Sequence, residues 1–149
     1  MKKVIVAHPF RQHSFWLASA LKKENNLFAY CTTVYDKDKS LMGIVKLLLK
    51  GELLKKANGR KCSALDDSEI YLFCEVLGYL ALIINRYSKN IDFTRSYQRY
   101  LYKCFGKKVA KFAVKNKVDA VIMFDTTATS CFSYIKKYAP DIECILDMA

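Results

Sequence analysis

Three runs of this chain are apolar at nearly every position instead of every second one. They are KVIVAH over 3–8, LFAYCTTVY over 27–35 and VDAVIMFD over 118–125. A strand reads this way when both of its faces are covered, which is the condition of a parallel sheet between helices. A fourth such run, IECILD over 142–147, lies near the last residue. Segments of helical period separate these runs. Over 14–25, Phe15, Leu17, Ala18 and Leu21 fall near one face, and Ser14 is positioned as an N-cap. Residues 41–58 form a basic, leucine-rich helix closed by Asn58-Gly59. Two more helices are expected over 93–116 and 129–138.

The middle of the chain is harder to divide. Asp66-Asp67-Ser68-Glu69 places acids where a helix N-terminus favours them, so a helix is expected over 68–87. Its central YLFCEVLGYLALII spans 14 residues and contains Glu75. A membrane span needs about 20 apolar residues, so this reads as a buried helix. RKCSAL, over 60–65, is expected to hold a short strand. The resulting order, strands alternating with helices, predicts an α/β fold: a Rossmann-like parallel sheet flanked by helices in one domain over 1–149.

The charge balance of 25 Lys and Arg against 14 Asp and Glu gives +11, which implies attraction to anions. Six cysteines occur without any CxxC pair, and only His8 and His13 are available as imidazoles, so no metal site is expected. The cysteines lie in apolar segments and read as reduced core thiols of a cytoplasmic protein. From Arg95 to Lys117 there are eight cations and no acid. Lys103, Lys107, Lys111 and Lys115 recur every fourth residue and form a row on one helix face. With Tyr97, Tyr100, Leu101, Phe105, Val109 and Phe112 as apolar flanks, that row reads as a surface for an acidic membrane. A plain solvated lysine face is the alternative. No nucleic-acid motif appears, and none is expected as a partner.

In open parallel sheets, ligands bind beyond the carboxyl ends of the strands. The residues there are His8, Arg11, Gln12, His13 and Ser14 after the first strand, Thr32, Thr33 and Tyr35 after the second, Asp125, Thr126 and Thr127 after the penultimate one, and Asp147 at the last. Arg11 and the amides near Ser14 suit an anion, and His8 or His13 suits proton movement near neutrality. Asp125 and Asp147 suit hydrogen bonds from sugar hydroxyls. Each group also has a plainer reading: a histidine held within its turn, or Asp125 capping the next helix. Neither GxGxxG nor GxxxxGK[ST] is present.

AHPFRQHSFWLASALKK, over 7–23, resembles the opening of family-4 glycosyltransferases of the GT-B fold. His8, Pro9, Arg11, Gln12, His13 and Ser14 match the His-Pro-Gly-Arg-Gln-His-Ser turn of that group, and Phe10 departs from its glycine. TTVYDK at 32–37, the stretches 55–70 and 105–129, and ILDMA at 145–149 are also similar to it. The resemblance implies the N-terminal, acceptor-binding domain of a retaining enzyme that needs neither metal nor cofactor. The donor-binding domain would be absent from this chain, so the chain alone would be inactive. It implies a nucleotide-sugar donor, a glycan or lipid-linked acceptor and a position on the inner face of the membrane. His8, Arg11 and His13 would line the cleft beside donor phosphates and acceptor, with Asp125 and Thr126 opposite. The abrupt stop after Asp147, with no covering helix, agrees with half of a larger protein. His8, Pro9, Ser14 and Phe15 also resemble the opening of flavodoxin-like quinone reductases, whose flavin phosphate would sit at the following helix start.

Overall fold

The computed structural model describes residues 1–10, 13–37, 40–48, 50–51, 55 and 59–148. Its elements, in chain order, are β1 Val4–Ala7, α1 Ser14–Lys23, β2 Leu27–Thr32, α2 Leu41–Leu48, a 3-10 turn Asp67–Glu69 and β3 Ile70–Leu72. There follow α3 Glu75–Tyr87, α4 Ile91–Asn116, β4 Ala120–Phe124, a second 3-10 turn Asp125–Thr127, α5 Thr129–Tyr138 and β5 Glu143–Asp147. Five strands form one sheet in the order β3-β2-β1-β4-β5, and every pairing is parallel. The α/β, Rossmann-like class expected from the alternating pattern is the class observed.

The continuous apolar runs of β1, β2 and β4 are explained by cover on both faces, whereas Ile145 and Leu146 of the edge strand β5 are exposed. Ile5, Ala7, Ala29, Cys31, Val121 and Met123 point to α4 and α5, where Phe105, Val109, Ala113 and Ile135 meet them. Val6, Tyr30 and Phe124 point the other way, onto Phe15 and Ala18 of α1. Two glycines set the closest approaches. A Cβ on Gly106 of α4 would lie 2.2 Å from Ser130 Oγ of α5, and one on Gly78 of α3 would lie 2.5 Å from Thr33 Oγ1.

Four sequence expectations are corrected. No strand forms over 60–65. The third strand is Ile70–Leu72, inside the segment expected to be helical, and it pairs with Tyr30, Cys31 and Thr32 of β2. The acids that imitated a helix start build the 3-10 turn before this strand. Asp66 N–H donates to Glu69 Oε2 (2.8 Å), and Lys22 of α1 reaches Asp66 at 2.5 Å and Glu69 at 2.7 Å. Helix α3 begins only after Cys74, whose φ of 58° lies in the left-handed region and ends the extended run. Glu75, odd inside an apolar run, accepts the Leu41 N–H at 2.8 Å and so caps α2.

The third correction concerns that same apolar run, which does not become a buried helix. Only Gly78 and Ala81 of α3 are buried, while Val76, Leu80, Ile83 and Tyr87 are exposed. The fourth is the N-cap of α1, which is His13, with Ser14 one residue inside the helix. The expected helix over 41–58 is observed as α2 to Leu48, and most of its remainder lies outside the described residues. No described helix is long and apolar enough to cross a membrane.

Candidate functional site

The strand order reverses direction between β1 and β4, the switch point at which open α/β sheets bind ligands. The turn after β1 is pinned there by its neighbours. Thr32 Oγ1 (3.3 Å), Thr33 N–H (3.3 Å) and Thr33 Oγ1 all donate to the Pro9 carbonyl. The end of β2 therefore fixes the His-Pro turn, and the threonine hydroxyls of this rim are engaged in structure. Tyr35 is likewise buried, with its hydroxyl accepting the Cys62 N–H (2.9 Å) and donating to the Cys62 carbonyl (3.2 Å).

His8 is 5% exposed. Its ring stands edge-on to Phe124 with centroids 5.1 Å apart, and Nδ1 meets both the N–H (3.0 Å) and the carbonyl of Phe10. Burial lowers its pKa. The Phe10 hydrogen bond and the negative charge of Asp125 pull in the opposite direction without overcoming it. His8 is thus a neutral imidazole at neutral pH, held in place by its own turn and in the field of a carboxylate.

Asp125 follows β4 and is exposed, its Oδ1 accepting the Thr126 N–H at 2.6 Å. Its charge also acts on Tyr102 of α4, whose pKa is raised first by burial and then by Asp125. Tyr102 therefore keeps its proton. Arg99, Tyr102 and Lys103 of α4 face Thr126, Thr129 and Ser130 across a cleft of about 310 Å³. Tyr102 and Thr126 supply hydroxyls, Arg99 and Lys103 supply positive charge, and Asp125, the chain neighbour of Thr126 whose charge reaches Tyr102, supplies acceptor oxygens. That set can bind a polyhydroxylated or anionic ligand.

The structure places Asp125 near enough to His8 for its charge to act on the imidazole, and it places Thr126 in the cleft. It does not place every expected residue in this group. Arg11 and Gln12 lie outside the described residues. His13 stands exposed at the start of α1, with no side-chain cap hydrogen bond. Ser14 is fully buried and its hydroxyl pairs with that of Tyr30 at 2.9 Å. Thr127 lines the cleft, but its hydroxyl is buried and donates to the Phe124 carbonyl at 3.0 Å. Asp147 pairs in register with Phe124, one strand further out. Lys103, Lys107, Lys111 and Lys115 are all exposed, as their spacing predicts. Of their expected apolar flanks, Tyr100 is exposed and Tyr97 half-buried, but Leu101, Phe105 and Val109 are fully buried against the sheet, and Phe112 packs on Phe28, Tyr71 and Phe73.

Sequence reasoning missed Tyr102 as a site residue and assigned Arg99 only to the basic face. The signal was available. A crossover helix runs antiparallel to its strand, so the early turns of α4 return past the carboxyl end of β4. Among the described residues, no group of three His, Cys, Asp or Glu side chains could hold a metal ion. Comparisons with family models, curated proteins and solved structures returned no match.

Proposed function

We propose that this chain is the acceptor-side half of a retaining glycosyltransferase. A second Rossmann-like half would bring the nucleotide-sugar donor, and the acceptor would be a glycan or a lipid-linked sugar. The observation that carries the reading is the cleft beyond the carboxyl end of β4, where Thr126 faces Tyr102, Arg99 and Lys103, with the neighbouring Asp125 acting electrostatically on both Tyr102 and the neutral His8. Asp125 accepts a hydrogen bond from a sugar hydroxyl and orients it. Arg99 and Lys103 attract a phosphate attached to acceptor or donor. His8, uncharged at neutral pH, is available to receive a proton from the attacking hydroxyl. The resemblance of residues 7–23 to the family-4 opening supports the same reading from the sequence side. The order β3-β2-β1-β4-β5 differs from the 2-1-3-4-5 order of flavodoxin-like proteins and weighs against a quinone reductase.

The test is an amide-resolved NMR titration of the chain with oligosaccharides and sugar phosphates, with flavin mononucleotide as comparator. The expected result is saturable shifts confined to residues 8–10, 99–103 and 125–130 with a saccharide. Asp125→Asn should weaken that binding at least about tenfold, the loss of a charge-assisted hydrogen bond. Saturable binding of the flavin at residues 8–16, with no saccharide response, would overturn the reading.

A further inference from the structure

Helices α3 and α4 form a hairpin whose tip lies off the sheet. Ser130 Oγ donates to the Tyr102 carbonyl at 3.3 Å, which sets the level of Tyr102 beside the end of β4. The first ten residues of α4, 91–100, contain no buried residue, and at 1.5 Å per residue this arm extends about 16 Å from Tyr102 to Ile91. Tyr97 Oη donates to the Leu77 carbonyl (3.1 Å) and Gln98 Nε2 to Asn85 Oδ1 (2.9 Å), so α3 and the arm are tied together.

The outward face of α3 is apolar along its whole length. Val76 (61%), Leu80 (43%), Ile83 (53%) and Tyr87 (70%) are exposed. Spacings of four, three and four residues place all four within about 60° of one helix face, opposite the buried Gly78 and Ala81. Phe93 and Tyr100 add exposed aromatic rings on the arm. Residues 76–100 carry Arg86, Lys89, Arg95 and Arg99 against Asp92 alone. The Arg86 guanidinium lies 5.6 Å from the Tyr87 ring centroid.

We infer that the α3–α4 hairpin docks on an anionic lipid bilayer. The α3 stripe and Tyr87 would enter the headgroup boundary, with the flanking arginines and Lys89 against lipid phosphates. The charge selects this occupant. A second copy would bring the same cations face to face across a two-fold axis, and that repulsion opposes dimerisation through this face. A nucleic acid would satisfy the cations and leave the apolar stripe in water. Lipid satisfies both. The inference differs from a membrane surface made by the lysine row, beside which Leu101, Phe105 and Val109 are buried in the core, and it does not rest on the sugar-transfer reading.

The experiment is co-sedimentation of the whole chain with phosphatidylcholine vesicles containing phosphatidylglycerol, against phosphatidylcholine alone. The wild-type chain is expected to bind the anionic vesicles, more weakly at high salt. Leu80→Ser/Ile83→Ser should lower the partition coefficient about tenfold or more. Arg86→Ser/Arg95→Ser should lower it about fivefold per charge on anionic vesicles only. Lys107→Ser/Lys111→Ser, on the part of α4 that packs against the sheet and away from the projecting arm, should leave it within about twofold. All six positions are exposed, and thermal melts check that the variants remain folded. Three results would overturn the inference: no binding to anionic vesicles, loss of binding in the lysine variant with none in Leu80→Ser/Ile83→Ser, or a wild-type dimer by light scattering that Leu80→Ser/Ile83→Ser makes monomeric.

Discussion

His8 and Ser14 show how much a short turn decides at the scale of single residues. Burial holds the His8 imidazole below its ordinary value of 6.5, and Asp125 partly restores it. In an NMR titration His8 should therefore titrate below 6.5, and Asp125→Asn should move it lower still. The stability consequence has a definite sign. The unfolded chain takes up the proton more readily than the native one, so no penalty exists above about 6.5 and one grows as pH falls through and below that value. Urea denaturation from pH 7.5 down to pH 5 should show stability falling, and His8→Gln should flatten the fall. Ser14 makes a second case. Its hydroxyl serves the buried Tyr30 hydroxyl, so Ser14→Ala should cost about 1 kcal/mol. Tyr30→Phe should then cost less in the Ser14→Ala background than in the wild type, which a double-mutant cycle reads directly. The sequence showed that this turn carries polar groups. It did not show which of them face a ligand, because Thr33, Tyr35 and Ser14 find partners on elements distant in sequence.

The strands and helices differ in how plainly the sequence announced them. β1, β4 and β5 were legible because their apolar runs are bounded by turns and by polar residues. β3 was not, because three residues cannot display a period and an acid-rich 3-10 turn precedes them in the manner of a helix start. Only the partner strand distinguishes Ile70–Leu72 from a helical turn, and β2 is about forty residues earlier in the chain. The helix contacts give a prediction at this scale. Alanine at Gly78 gains about 1 kcal/mol of helix propensity but places its Cβ 2.6 Å from Thr33 Cβ. Gly78→Ala should be net destabilising by about 1–3 kcal/mol. Gly106→Ala meets chiefly a side-chain hydroxyl, Ser130 Oγ, with the Cys131 amide at 3.1 Å. Ser130→Ala should therefore recover part of the loss at Gly106, whereas truncating Thr33 to Ala retains the clashing Cβ and should recover little at Gly78. Thermal melts of the four single variants and two doubles decide this.

Over the whole molecule, one cluster joins elements from both ends of the chain, and its thiols report whether it opens as a unit. Cys31 lies at the end of β2 and Cys131 on α5, and both are fully buried in the cluster that α4 shares with the sheet. Burial raises both thiols, Cys131 to about 12, so neither is a thiolate at neutral pH. All six cysteines are free, and Cys62, Cys74, Cys104 and Cys144 are partly exposed. Under native conditions, peptide-resolved alkylation should modify those four while sparing Cys31 and Cys131. In rising urea the two protected thiols should become reactive together, each with the full urea dependence of global unfolding. Early reactivity at Cys131 alone would mean that α5 and the β4–β5 edge detach before the centre of the sheet. That outcome would separate the candidate cleft, half of whose wall is the start of α5, from the part of the fold that fixes His8. Concerted protection means instead that α4 holds both walls: Gly106 and Tyr102 against Ser130 on one side, Phe105 and Val109 against the strands on the other. The geometry of His8, Asp125 and Tyr102 then persists for as long as the domain is folded.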